Sequence, residues 1–167
     1  TTLDIKSEDY ASFMAGGNFN LSSDTASSIK NIGNLETKGD IYLIAPEISN
    51  TGEILNTSIA NRVGKVVLGA GNKLDVKFDS SGLIGFEILN SNTAAGNKVI
   101  DNKGSIKSNT VLLHGADSSN LTTSVVNNEG ITEATFLVDI KATDTNQKGK
   151  IESATGKVEQ VNLNAEK

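Results

Sequence analysis

The sequence predicts an all-β chain, a right-handed parallel β-helix of the single-stranded solenoid kind, and three observations carry that expectation. The pattern I-x-N-x-G-x-[IL] recurs along the chain, each copy is followed by a second short aliphatic stretch, and the residues available for a core are aliphatic rather than aromatic. The 167 residues include five Phe, two Tyr and no Trp, whereas a compact sandwich fills its core with larger rings. Pro appears once, at Pro46, so the turns fall to Gly and Asn, which tolerate left-handed backbone most readily.

Taken in order, residues 1–28 read as a lead-in to the first regular coils, which span 29–71. The first copy of the repeat is Ile29-Lys-Asn31-Ile-Gly33-Asn-Leu35 and the second is Ile48-Ser-Asn50-Thr-Gly52-Glu-Ile54. Each precedes a strand of period two, Ile41–Ala45 after Gly39 and Val66–Ala70 after Gly64. Residues 72–98 read as an insertion. Leu74, Val76 and Phe78 alternate before Asp79-Ser-Ser-Gly82, and Ile84, Phe86 and Ile88 alternate after it. That is a β-hairpin with a four-residue loop around residues 72–90. Two strands alone are marginal in water, so the two Phe residues are expected to pack an extra-helical apolar face onto the outside of the helix.

Residues 99–167 are expected to form further coils. They hold Ile100-Asp-Asn102-Lys-Gly104-Ser-Ile106 and an imperfect copy, Val126-Asn-Asn128-Glu-Gly130-Ile131, whose closing aliphatic arrives one place early. Val111–Leu113, Phe136–Ile140 and the run from Val158 to Leu163 are the matching second strands. The whole chain, 1–167, thus reads as one β-helix segment.

Spacing favours stacking over a meander. Asn31 and Asn50 lie 19 residues apart and Asn102 and Asn128 lie 26 apart, about one circuit of short strands and tight turns. The 52 residues between Asn50 and Asn102 then hold one coil plus the insertion. Under this reading the aliphatics point inward and form ladders, each contributing roughly 1.5–3 kcal/mol when fully buried. The site residues are structural: Asn31, Asn50, Asn102 and Asn128 stack at one corner, and Gly33, Gly52, Gly104 and Gly130 occupy positive φ. Asn favours turns for its own side-chain chemistry, so mutual alignment alone distinguishes a ladder from four separate turns.

A net charge of −5 and a pI near 4.9 argue against nucleic acid, because phosphate binding requires clustered Lys and Arg. Cys is absent, which excludes a disulfide framework. No apolar run approaches the roughly 18 residues of a membrane span, and no leader is visible, so no membrane insertion is expected and the chain reads as a mature or excised soluble segment. No catalytic group, cofactor or metal is expected. His114 is the only His, which leaves no His–His metal pair or Ser–His relay, and it reads as a turn residue. Arg62 is the only Arg, and Asp75, Asp79, Asp101, Asp117 and Asp139 fall in unrelated turns and strands. A β-helical polysaccharide lyase or hydrolase needs converging carboxylates with a basic partner. Lys38, Glu53, Lys65 and Lys107 are expected on the solvated face. Asn20, Asn56 and Asn120 open glycosylation sequons of a kind that chance supplies in an Asn-rich chain, and they are read as unmodified.

The run from Gly39 through Pro46 and Gly52 to Ile54, then Gly64–Gly71, then Val76–Ile84, resembles the filamentous-haemagglutinin-like exoproteins of two-partner secretion. Thr2-Leu3-Asp4-Ile5 with Asp9-Tyr10 looks like the segment before that family's first regular coils. The likeness covers most of the chain and is strongest from residue 29 to 132. It implies a bacterial protein that transits the periplasm to become secreted or displayed at the cell surface. Its implied partner is an outer-membrane transporter (TpsB-type) with periplasmic POTRA modules, which recognises the amino-terminal domain as that domain seeds coil-by-coil folding. A host-cell receptor or glycan is the implied second partner, since members serve as adhesins, haemolysins, contact-dependent toxins or haem-acquisition proteins. The family's Asn-Pro-Asn-Gly motif and upstream cap are missing, so the segment reads as a truncation. The alternative is the β-helical passenger of a single-chain autotransporter.

Overall fold

The computed structural model describes residues 4–5, 10–15, 17, 19–22, 27–58, 64–71, 73–79, 82–90, 98–115, 125–142, 144–153 and 160–165. Among these the chain is almost entirely β, with one five-residue helix, α1 (Tyr10–Met14), inside the stretch read as a lead-in. Two parallel sheets and one antiparallel sheet account for the strands.

The first parallel sheet has five strands, β3 (Ser28–Asn31), β6 (Glu47–Asn50), β11 (Lys98–Asn102), β13 (Val125–Asn128) and β15 (Asp144–Gln147). They lie side by side in that order, each paired in parallel with the copy of the repeat before it. Asn31, Asn50, Asn102, Asn128 and Gln147 share one register position, so separations of 19, 52, 26 and 19 residues all return the chain to the same place.

The second parallel sheet has eight strands. One part joins β4 (Asn34–Thr37), β7 (Glu53–Asn56), the first half of β12 (Ser105–Gly115), the first half of β14 (Ile131–Ala142) and β16 (Lys150–Glu152). The other joins β5 (Ile41–Ala45), β8 (Lys65–Ala70), the second halves of β12 and β14, and β17 (Gln160–Ala165). In β12 and β14 the two strands of earlier circuits fuse into one, with a register shift between Ser108 and Thr110. A β-bulge of this sort bends a strand without breaking its ladder.

Alternation puts one set of aliphatics of each second strand on the core face, while Ile44, Val67 and Leu112 fall on the other, and the parallel register stacks like on like. Ile41, Val66, Val111, Val138 and Val161 form one column, and Leu43, Leu68, Leu113, Ile140 and Leu163 another. With Ile48, Ile54, Ile100, Ile106 and Val126, the middle members of these columns make a single buried cluster. The second strands Ile41–Ala45, Val66–Ala70, Val111–Leu113 and Phe136–Ile140 fall where the sequence placed them, except that Phe136, beside the bulge, is exposed while Val138, Ile140 and Ala142 are buried; of the run from Val158 to Leu163, residues 160–163 lie in β17 and Val158 lies outside the described residues.

Three expectations about the repeat are corrected by the register. Ile131 is not the closing aliphatic of the fourth copy. It pairs with Ser105 and is exposed, and the inward place opposite Ile106 belongs to the fully buried Thr132. A fifth copy, Thr145-Asn-Gln147-Lys-Gly149-Lys-Ile151, completes the column with Gln in the Asn position. Leu35, which occupies an inward position, is 37% exposed because no described strand lies beyond β4.

The hairpin is present as β9 (Lys73–Asp79) and β10 (Gly82–Asn90), antiparallel. Asp79 pairs with Gly82, so the ladder runs further toward the tip than a four-residue loop allows, and residues 80 and 81 lie outside the described set. Nor is it two strands alone. It joins β2 (Phe19–Ser22) and β1 (Asp4–Ile5) in a four-stranded antiparallel sheet ordered β1-β2-β9-β10. Leu21 pairs with Leu74 and both are buried. The placements of Phe78 and Phe86 lie outside the described side chains.

Candidate functional site

The residues singled out by the repeat converge on one turn, which the chain makes between the first sheet and the second in every circuit. Asn31 donates from Nδ2 to Asn50 Oδ1 (2.8 Å), Asn50 to Asn102 (2.7 Å), Asn102 to Asn128 (2.6 Å) and Asn128 to Gln147 Oε1 (2.8 Å). A side-chain amide is neutral and carries a donor and an acceptor in the same plane, so a column of amides one strand spacing apart satisfies itself. Asn50, Asn102 and Asn128 are at most 1% exposed, and buried amides are costly unless bonded in this way. Gln147 ends the column by donating to Gly149 O (2.9 Å).

The glycines do not serve the purpose expected of them. None of Gly33, Gly52, Gly104, Gly130 or Gly149 has positive φ; among the described glycines only Gly64 does, at 109°. The column of glycines is required by close approach. A Cβ on Gly52 would be driven into the carbonyl oxygen of Gly33, one on Gly104 into that of Gly52, one on Gly130 into that of Gly104, and one on Gly149 into that of Gly130. These carbonyls are held in place because each accepts a backbone N–H of the next copy: Gly33 from Glu53, Gly52 from Ser105, Gly104 from Ile131 and Gly130 from Lys150, all at 2.9 Å. Gly33 differs, since a Cβ there meets nothing within 4 Å.

A second polar corner was not legible in the repeat. Asn56, fully buried, donates to Gly39 O (2.7 Å) and accepts from Ser58 N (2.9 Å). Ser108, opposite Asn56 in register, donates to Gly64 O (3.1 Å). A Cβ on Gly64 would strike the Asn56 side chain, so both φ and space fix that glycine. Burial of Asn56 leaves its sequon no exposed amide, and Asn120 lies outside the described residues. On the other face of the first sheet Asn146 donates to Asn127 (2.6 Å) and Asn127 to Asp101 (2.5 Å), with Lys103 3.2 Å from Asp101.

His114 is not in a turn. It lies in β12, and its Nε2 is 2.7 Å from Asp139 Oδ2 on the neighbouring strand. Asp40 accepts from Lys65 N (2.9 Å) and from the Tyr42 hydroxyl (3.1 Å). Burial, then the charge of Asp40 and its hydrogen bond, push the Tyr42 phenol up to about 12. Lys38 and Lys65 are exposed, Glu53 and Lys107 half-buried, and Lys107 pairs with Glu133 at 2.9 Å. Arg62 and Asp117 lie outside the described residues. Among the described residues no three His, Cys, Asp or Glu side chains come together, and no helix is long and apolar enough to cross a membrane. No protein-family model matches the chain, and no curated protein matches it either.

Proposed function

We propose that the parallel sheets are faces of a right-handed parallel β-helix, and that this helix is a non-enzymatic export and presentation segment of a secreted bacterial surface protein. The observation that carries the reading is the return of the chain to one register position in five successive strands, with amide on amide and glycine on glycine. An arrangement in which each circuit is the template for the next suits a protein that folds progressively as it emerges from a pore, because every new circuit buries its aliphatics on the one before. The four-stranded antiparallel sheet, built from the lead-in and the hairpin, fits the same reading as an extra-helical element. It ties the start of the chain to the second circuit.

The partner in this proposal is an outer-membrane two-partner-secretion transporter with POTRA modules, reached in the periplasm. The likeness of residues 29–132 to filamentous-haemagglutinin-like exoproteins supports this choice over an autotransporter passenger. When the chain is fused behind the amino-terminal cap of such an exoprotein, it is expected to reach the medium only where the transporter is co-expressed. Retention in the periplasm with the transporter present overturns the export reading. The non-enzymatic part is checked by incubating the purified chain with acidic and neutral polysaccharides, where any turnover above buffer overturns it.

A further inference from the structure

The antiparallel sheet is drawn from two stretches of chain that flank the first two circuits. β1 and β2 precede β3, and β9 and β10 follow β8. β2 pairs with β9, setting Ser22 opposite Lys73 and the buried Leu21 opposite the buried Leu74. The two ends of the segment that makes β3 to β8 are therefore hydrogen-bonded to each other, outside both parallel sheets. Among the described residues no strand beyond β10 enters this sheet, so all four of its strands come from residues 4–90.

The same two circuits are stitched together at the second polar corner. Thr57 donates to Thr37 O from its N (2.8 Å) and its Oγ1 (3.1 Å), Ser58 Oγ donates to Lys38 O (2.6 Å), Asn56 to Gly39 O, and Lys65 N to Asp40. These side-chain bonds join residues only 17 to 25 apart in sequence. The third circuit reaches back to this corner with Ser108 Oγ and Thr110 N, which share Gly64 O. In the fourth, Ala134 faces Ser108, and the buried Oγ1 of Thr135 has no hydrogen-bond partner. Loop length divides the stack at the same place. Asn50 and Asn102 are 52 residues apart, across the hairpin, while the other steps of the amide column are 19, 26 and 19, and the entropy lost on closing a loop grows with its length. We infer that residues 4–90 are a folding unit of their own. The first two circuits, clasped by β2 on β9, assemble first, and the third, fourth and fifth are then laid on the ladder edges of β6, β7 and β8. A repeat without such a clasp can start folding anywhere along its length, so it is the antiparallel sheet that imposes this order. The inference rests on the strand pairings and the corner bonds, and it stands or falls independently of export.

Stopped-flow refolding and unfolding of the full chain in urea reads the order. Leu74→Ala empties a buried place in the clasp and is expected to slow refolding roughly tenfold, whereas Val138→Ala, in the fourth circuit, is expected to speed unfolding and leave refolding within about twofold of wild type. A second arm does not depend on a truncated side chain. The chain has no Cys; Asn20 and Asp75 are register partners within the clasp, and Lys141 and Asn164 are register partners between β14 and β17. The oxidised Asn20→Cys, Asp75→Cys chain is expected to refold about tenfold faster than its reduced form, because the cross-link makes in advance a contact that the transition state needs. The oxidised Lys141→Cys, Asn164→Cys chain is expected to unfold more slowly with its refolding rate unchanged. Leu74→Ala and Val138→Ala slowing refolding equally, a clasp cross-link that alters unfolding alone, or acceleration by the second cross-link as large as by the first would each overturn the inference.

Discussion

The middle circuits and the end circuits carry the same motif residues with different physical consequences. Ile54 and Ile106 are wholly buried while Leu35, at the same register position, is 37% exposed. Gly104 is pressed against Gly52, and Gly33 is pressed against nothing. Asn102 bonds to amides on both sides, and Asn31 to an amide on one side. The motif therefore has no fixed energetic weight. Its contribution depends on whether a parallel strand lies on both sides of it or on one only.

The largest break in that comparison is expected from Ile106→Ala, which empties a fully buried site between two other circuits and should cost roughly 2–5 kcal/mol. Leu35→Ala is expected to cost about 1 kcal/mol or less, since much of the side chain already meets water. Urea unfolding of the two variants reads the difference, and equal losses would show that position along the stack is irrelevant.

Next in size is Gly104→Ala, where the added methyl can be accommodated only by parting the Ser105–Gly52 backbone bond, at a cost of about 2–3 kcal/mol. Gly33→Ala is expected to stay within about 0.5 kcal/mol of wild type, since a Cβ there meets nothing within 4 Å. Asn102→Ala removes one amide, leaving the Nδ2 of Asn50 with only its 3.5 Å contact to Ser105 O and the Oδ1 of Asn128 with only the Thr132 hydroxyl at 3.4 Å, so about 2 kcal/mol is expected, against about 1 kcal/mol or less for Asn31→Ala. A double variant lacking both Asn50 and Asn102 sharpens this test. It should cost less than the sum of the single losses, because the two share one hydrogen bond.

The smallest effect is a titration in the first two circuits. Tyr42 ionises near 12 in the folded chain and near 10.0 when unfolded, so the folded state favours the neutral phenol. That contribution is fully present below pH 10 and is lost as pH rises through about 12. Ultraviolet titration is expected to show a phenolate step shifted upward that disappears in Tyr42→Phe, and a step at the ordinary value would remove the burial and Asp40 from the account.

The repeat was readable from Asn31 to Asn128 because the amide and the glycine are both dictated by backbone geometry that recurs once per circuit. The fifth copy escaped because Gln147 and Thr145 stand where Asn and Ile stood before, although Gly149 and Ile151 kept their spacing. Thr132 was misread for a related reason. A hydroxyl looks like a surface residue in sequence, yet in the stack it takes an aliphatic's place beside the Asn128 amide, 3.4 Å away. The hairpin was legible from alternation, but its pairing with β2 was not, since antiparallel partners such as Leu21 and Leu74, 53 residues apart, share no motif.

By itself the sequence determined the all-β class, the parallel return of the chain and the columns of like residues, because period-two alternation and a fixed spacing are local properties of one chain. Only the tertiary structure decided why the glycines are glycines, which inward residues reach zero exposure and where the hairpin finds its other two strands. Each of these depends on what lies one circuit above or below, and a neighbour's carbonyl acts through space rather than along the sequence.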